Sequence, residues 1–598
     1  MGAGLQAGTA TDQRTARLPG HAILLAAALL LTVVAYVGTL QFQFVYDDLP
    51  QIVHNPAVQS WHFAAGYFTH HVWSHVYPTW PGNYYRPVFL LWLLLNWTAF
   101  GLQPLGWHLT TVAAHLGMVA MVYWLARRIT GDAAAAAIAA LLFGVHPIHL
   151  ETVAWISGVS EPLLGLLFIG AFMFYAKARD GQEHRALRLM VSLLLYALAL
   201  LSKETAIVLP ALIFGNEWLR TDEREGRRRT SEKLRAAAVA IVPYAAISVG
   251  YLALRAFALK GAVHPDAEVT PATVLLTLPS LVWFYARHLV APWPLGLFYD
   301  VGYVLQPTAA NFVLPLLFAL LSGAALWVAA RRSRAAAAAI LWLVLPLLPP
   351  LGGIAVFAAG DIAHDRYLYL PSIGFCILVA IALRRLANKG GAAPAVPVAQ
   401  FAAVGVIGLA LTVATMVQSV YWANNLLLYH RGVQMAPRNA LARSHLATEM
   451  LARNDITTAL RLYQEAHDLD PNAWSSNFIL GYTNFSIGRF REAEPYFRRG
   501  IEITPTNANQ YFYLGLTLMN LGRLDEAAST ARRAIQLWDK GPGFHYGLGL
   551  ILQRKGDLAG ARDQYAAELK IDPNSGARQQ LAEVEALLAG GTPSSRTQ

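Results

Sequence analysis

Two adjacent carboxylates stand just beyond the first apolar run, in Val45-Tyr46-Asp47-Asp48. Acids side by side repel and raise each other's proton affinity, which suits a general base or a cation site at a membrane exit; a solvated helix end is the plain alternative. Asn83-Tyr84-Tyr85-Arg86-Pro87 offers an arginine able to grip a phosphate bidentately, or an interfacial arginine among aromatic neighbours. His146-Pro147-Ile148-His149-Leu150-Glu151 holds three metal-ligand types but lacks the helical His-Glu-x-x-His spacing. Polar packing and a substrate pocket compete there with metal binding. The His70, His71 and His75 cluster has no better ligand spacing. Glu161, within an apolar run, needs a partner at membrane depth. Lys203 and Glu204 lie between two apolar runs, either as a buried ion pair or as part of a site, and His364-Asp365-Arg366 opens another run.

Arg86, Lys203 and Arg366 can converge as a positive pocket beside the acidic pair. Tyr85, His146, His149, Glu151, Glu161, Glu204, His364 and Asp365 are then the candidates for the substrate region. Such a pocket suits a lipid phosphate at headgroup level, with a carboxylate aimed at an incoming hydroxyl. Asp48 is the favoured base, because Pro50 restricts Leu49 and so helps fix the backbone that carries it. Asp47 then orients a partner or binds a cation. A divalent cation is the one cofactor left open, and no metal site is assigned.

Apolar helices must hold these residues in place. The 598 residues are 56% hydrophobic and only 14% charged, against roughly 25% charged in soluble domains. The single cysteine, Cys376, excludes a disulfide scaffold and a cysteine-based metal site. A net charge of +10 invites a nucleic-acid partner, but the basic residues cluster between apolar runs, where membrane orientation explains them. Eleven spans are expected, near 21–40, 106–126, 133–150, 155–176, 186–202, 204–219, 236–257, 311–330, 335–350, 367–383 and 396–420. The stretches 88–100 and 274–293 are expected at the outer surface or packed in the bundle. Residues 1–20 then form a cytoplasmic tail, 42–104 a long first outer loop, and 21–420 one polytopic membrane domain. An odd count puts everything after 420 in the periplasm or outside an inner (plasma) membrane.

Beyond a linker at 421–439 the sequence turns periodic. Prolines 437, 471 and 505 recur every 34 residues, as do Ala459, Ala493, Ala527 and Ala561, and Gly481, Gly515 and Gly549. The small residues let paired helices cross closely, Tyr463, Phe497 and Tyr565 supply bulk, and the prolines end helices. This is the tetratricopeptide pattern: four repeats over 440–575, then a capping helix and tail over 576–598. The fold class expected is all-α, a polytopic membrane bundle followed by an α-solenoid.

Six segments occur in order: VYDDLPQIVHNPAV, YYRPVFLLWLLLNWTAFG, LGWHLTTVAAHLG, HPIHLETVAWISGVSE, LLSKETAIVLP and HDRYLYLPSIGF. With the repeats behind them, the chain resembles the transmembrane and tetratricopeptide-repeat O-mannosyltransferases and their bacterial relatives, within the C-type membrane glycosyltransferase superfamily. The resemblance implies a polyprenyl-phosphate-linked sugar as donor and a hydroxyl of a protein or glycan acceptor on the non-cytoplasmic face. It also implies inversion at the sugar carbon, an acidic base in the first outer loop matching Asp47 and Asp48, and an acceptor engaged by the repeats. One departure stands out: where the family commonly reads glycine-arginine-alanine-glutamate, this chain reads Gly158-Val159-Ser160-Glu161. The rival classes are a non-catalytic repeat scaffold for envelope assembly and a lipid-linked glycan flippase.

Overall fold

The computed structural model describes residues 20–77, 82–220, 230–261, 269–357, 360–387, 398–472 and 474–590. Residues 1–19 of the expected cytoplasmic tail, and Arg227–Arg229 and Lys389 among the basic residues between apolar runs, lie outside the described residues. Among the described residues the regular structure is helical throughout. The chain divides into two compact units, 1–297 with 301–427, and 298–300 with 428–598.

In the first unit, nine helices among the described residues are long and apolar enough to cross a membrane. Large apolar side chains stay exposed on them, Leu321 at 72% and Phe257 at 68%, a surface suited to lipid and costly in water. Three of the eleven expected spans are shorter than that length, for local reasons. Helix Ala133–Val145 ends at Pro147, where the chain bends by 52° into Pro147–Val153. Leu209–Leu219 has only 11 residues, because Glu204–Val208 forms a tighter 3-10 turn before it. Pro371–Ala387 has 17. Conversely, Pro271–Val290, expected at the outer surface or packed in the bundle, is long enough to cross, while Pro87–Phe100 is a short apolar helix.

The alanine-rich Ala133–Val145 helix is buried along nearly its whole length and packs against Gly20–Tyr36, Pro104–Thr130 and Pro371–Ala387. Asp132 starts it by accepting from the amides of Ala134 (2.8 Å) and Ala135 (3.3 Å), and Arg384 Nε donates to the same carboxylate at 2.7 Å. Near its end, a Cβ on Gly144 would sit 2.2 Å from Thr32 Oγ1, so the close approach there requires glycine. The break at Pro147 lets the chain descend through short turns to Glu151 and Ser157 before Ser160–Asp180 begins.

The second unit is a run of antiparallel helix pairs from Ala440–Ala452 and Ile456–Leu469 to Phe544–Lys555 and Leu558–Ile571, closed by Ala577–Leu588. Tyr463, Phe497 and Tyr565 are fully buried. A Cβ on Gly515 would press on Ala527 O at 3.2 Å and Ala531 Cβ at 3.3 Å, which is why the two helices of that repeat can touch. The stretch at 421–439 expected as a linker contains the helix Asn425–Met435.

Candidate functional site

Tyr46 turns the chain that carries the acidic pair. Its φ of +53° lies in the left-handed region, uncommon for a bulky residue, and its amide is held by Asn425 Oδ1 at 2.8 Å. The turn sends the two carboxylates to different places. Asp48 is fully buried: its Oδ2 accepts from Val45 N (3.1 Å), and its Oδ1 accepts from Ser157 N (2.9 Å) and Ser157 Oγ (2.6 Å). Asp47 instead lines a cavity of about 240 Å3, together with Arg86, Lys203, Glu204 and Arg366. Asp47 thus lines the cavity and Asp48, the acid favoured as base from sequence, does not, because Asp48 spends its oxygens on Val45 and on the loop that ends in Ser157.

Enclosure raises both acids. It pushes Asp47 up to about 7, with Arg366 opposing the rise and the charge of Asp48 adding to it. Burial pushes Asp48 up to about 6 against the hydrogen bonds from Ser157 and Val45.

Each expected phosphate ligand already holds a carboxylate. Arg86 donates to Glu204 through Nε (2.9 Å) and Nη2 (2.5 Å), with its guanidinium 4.4 Å from the Tyr84 ring centroid. Burial alone would raise Glu204, but Arg86 and then Lys203 draw it down to about 2. Lys203 Nζ contacts Glu161, and both side chains are 4% exposed. Arg366 donates its amide to Glu151 Oε2 at 2.9 Å and its Nη1 to Oε1, and its guanidinium lies 5.7 Å from the Trp155 ring. Each cation is thus fixed by a carboxylate, Arg86 by one that itself lines the cavity and Lys203 and Arg366 by ones outside the lining. Arg86 keeps Nη1, and Arg366 keeps Nε and Nη2, for other acceptors.

Several expected pocket residues lie elsewhere. Tyr85 is buried and donates to Phe68 O at 2.9 Å, while its neighbour Tyr84 lines the cavity. His146 Nδ1 accepts from Ile148 N to start the turn after Pro147, and its Nε2 meets Leu289 O at 3.1 Å. His149 Nε2 contacts Ser372 Oγ at 2.9 Å within an aromatic box of Phe143 and Tyr369. These three form structural contacts away from the cavity wall. Glu151, Glu161 and His364 sit behind it, His364 Nδ1 lying 3.7 Å from Glu151 Oε1, and Asp365 is buried outside it. Among the described residues no three His, Cys, Asp or Glu side chains converge as a metal set.

Sequence reasoning missed Ser157, which anchors Asp48, and Arg255, which lines the cavity and donates Nη2 to Asn83 O at 3.1 Å. Arg255 lies in the long helix Thr230–Leu259, amid apolar sequence, and its charge within a span was the signal available.

The family model for dolichyl-phosphate-mannose-protein mannosyltransferase matches residues 86–251, and the tetratricopeptide repeat model matches 444–508 and 513–576. The first match opens on Arg86 and includes Glu151, Glu161, Lys203 and Glu204. The chain is 28% identical over 511 residues to protein O-mannosyl-transferase TMTC1 of Homo sapiens, covering 77% of this chain and 56% of that protein. It is 24% identical over 526 residues to protein O-mannosyl-transferase TMTC3 of Mus musculus, covering 80% and 54%. The chain is homologous to these protein O-mannosyl-transferases. It spans about half the length of the curated relatives it matches. Among solved structures, YrrB, a TPR protein with an unusual peptide-binding site, is similar at 22% identity over 27% of this chain and 84% of that one, with a TM-score of 0.25.

Proposed function

We propose that the membrane unit is a glycosyltransferase that moves a sugar from a polyprenyl-phosphate donor to a hydroxyl of a protein or glycan acceptor, with Asp47 as general base. The acceptor hydroxyl gives its proton to Asp47 while its oxygen attacks the anomeric carbon. The bond from that carbon to the phosphate oxygen breaks, and the lipid phosphate leaves with the electron pair. One displacement inverts the anomeric centre. The leaving phosphate is already charged, so it asks for cations more than for an acid. Arg86, Lys203 and Arg366 supply them, held by Glu204, Glu161 and Glu151 so that little reorganisation is needed at the moment of transfer. A carboxyl near 7 is a stronger base than an ordinary aspartate and is still about half ionised at neutral pH. No step is routed through a divalent cation.

The observation that carries this reading is one cavity lined by Asp47 together with Arg86, Lys203, Arg366 and Arg255. Homology to the O-mannosyl-transferases favours mannose as the sugar, a face outside the cytoplasm for the cavity, and a protein acceptor presented by the repeats. The test is transfer of radiolabel from polyprenyl-phosphate mannose to protein in purified membranes. Labelled protein that requires Asp47 supports the reading; its absence with every lipid-phosphate sugar supplied favours the scaffold or the flippase.

A further inference from the structure

The helices Ser160–Asp180, Arg185–Ser202 and Thr230–Leu259 reach the catalytic cavity at one end only, through Ser160, the Lys203 that follows Ser202, and Arg255. At their opposite ends they enclose a second cavity of about 560 Å3. Ser160 and Arg179 are separated by about 30 Å along their helix at 1.5 Å per residue, the thickness of a bilayer core. The second cavity therefore opens at the other membrane face. Its mouth carries Arg179, Arg185 and Arg235 against one acid, Glu232, and its floor is apolar, from Leu189 and Leu193 on one helix to Val239 and Pro243 on another. Tyr244 closes the base, its hydroxyl 2.6 Å from Ser192 Oγ.

The three arginines differ in what holds them. Arg179 donates to Glu217 through Nε (3.3 Å) and Nη2 (2.9 Å), and that carboxylate is 4% exposed, so Arg179 braces the wall. Arg185 and Arg235 project at the rim, both exposed. A basic rim above an apolar slot between spanning helices matches a phosphodiester headgroup with its acyl chains, and the volume is that of a ligand site. We infer that this cavity binds an anionic phospholipid of the leaflet opposite the catalytic cavity, its phosphate between Arg185 and Arg235 and its chains along Leu189, Leu193 and Val239. The site is independent of the transfer reaction and of the donor.

The experiment is native mass spectrometry of the full chain released from vesicles of phosphatidylglycerol or of phosphatidylcholine, with the Arg185→Gln/Arg235→Gln double variant alongside. The expected result is retained phosphatidylglycerol on the wild-type chain, little phosphatidylcholine, and roughly 30-fold weaker retention in the variant at about 1 kcal/mol for each arginine lost. Free glycerol phosphate at millimolar concentration leaves the lipid in place. Equal retention of the two lipids, an unaffected double variant, or displacement by glycerol phosphate would each overturn the inference, the last by making the site one for a soluble anion. Because both arginines are exposed, the variant keeps its fold, and the two-lipid comparison on the wild type stands without it.

Discussion

Removing the Arg366 side chain is expected to damage the fold before it damages donor binding. Glu151 is 1% exposed, and the contacts that hold it come from Arg366, the amide at 2.9 Å and the guanidinium, with the imidazole of His364 at 3.7 Å. Arg366→Ala keeps the amide bond but leaves a carboxylate without its countercharge in a wall between helices. Breaking such a buried pair from one side costs about 3–5 kcal/mol. Neutralising both partners, Glu151→Gln with Arg366→Gln, removes the stranded charge, and the double variant should lie within about 1–2 kcal/mol of wild type. Donor affinity behaves differently, since the double variant still lacks the cation that faces the cavity. Thermal unfolding in detergent, paired with titration of a lipid-phosphate donor analogue, separates the two effects. Stability should recover in the double variant while affinity stays reduced. A stable Arg366→Ala protein would refute the claim that Glu151 depends on this arginine. Recovery of donor affinity along with stability would remove Arg366 from the phosphate site.

The other expectations concern different parts of the molecule. Asp48→Asn should lose about 1–3 kcal/mol of stability, because an amide nitrogen must face either the Val45 amide or the Ser157 donors, while turnover measured on the folded fraction falls by less than tenfold. The kcat/KM of transfer should rise about tenfold per pH unit below neutrality and level off near pH 7, because the base works only when ionised and Asp47 is pushed up to about 7; a profile flat from pH 5 to 8 would count against it. Gly515→Val should loosen its repeat by about 1–3 kcal/mol through overpacking on Ala527 and Ala531, read as faster proteolysis within 508–537. Deleting 439–588 should spare donor binding but lower transfer to a protein acceptor, and an undiminished rate would assign the repeats another task.

The repeats were legible because one period of 34 residues carries proline, alanine and glycine at fixed offsets, each forced by local helix geometry. The acidic loop and the three cations were legible as charges in apolar sequence, where each needs a reason. Their pairing was not: Arg86 meets Glu204 across 118 residues and Arg366 meets Glu151 across 215, and nothing local links such partners. The choice between Asp47 and Asp48 turned on the positive φ of Tyr46 and on a serine 109 residues away. Pro50 restricts the backbone without saying which carboxylate faces the cavity. The bend was not legible either: Pro147 breaks an apolar run that hydropathy reads as continuous.

Turnover and donor binding measured together on Asp47→Asn test the central claim most directly. The substitution keeps the shape of the side chain and removes its basicity, so transfer should fall by about 10²–10⁴ while the donor analogue binds with nearly unchanged affinity. A near-normal turnover in Asp47→Asn, with the loss appearing instead in a stable Asp48→Asn, would contradict the assignment of the base.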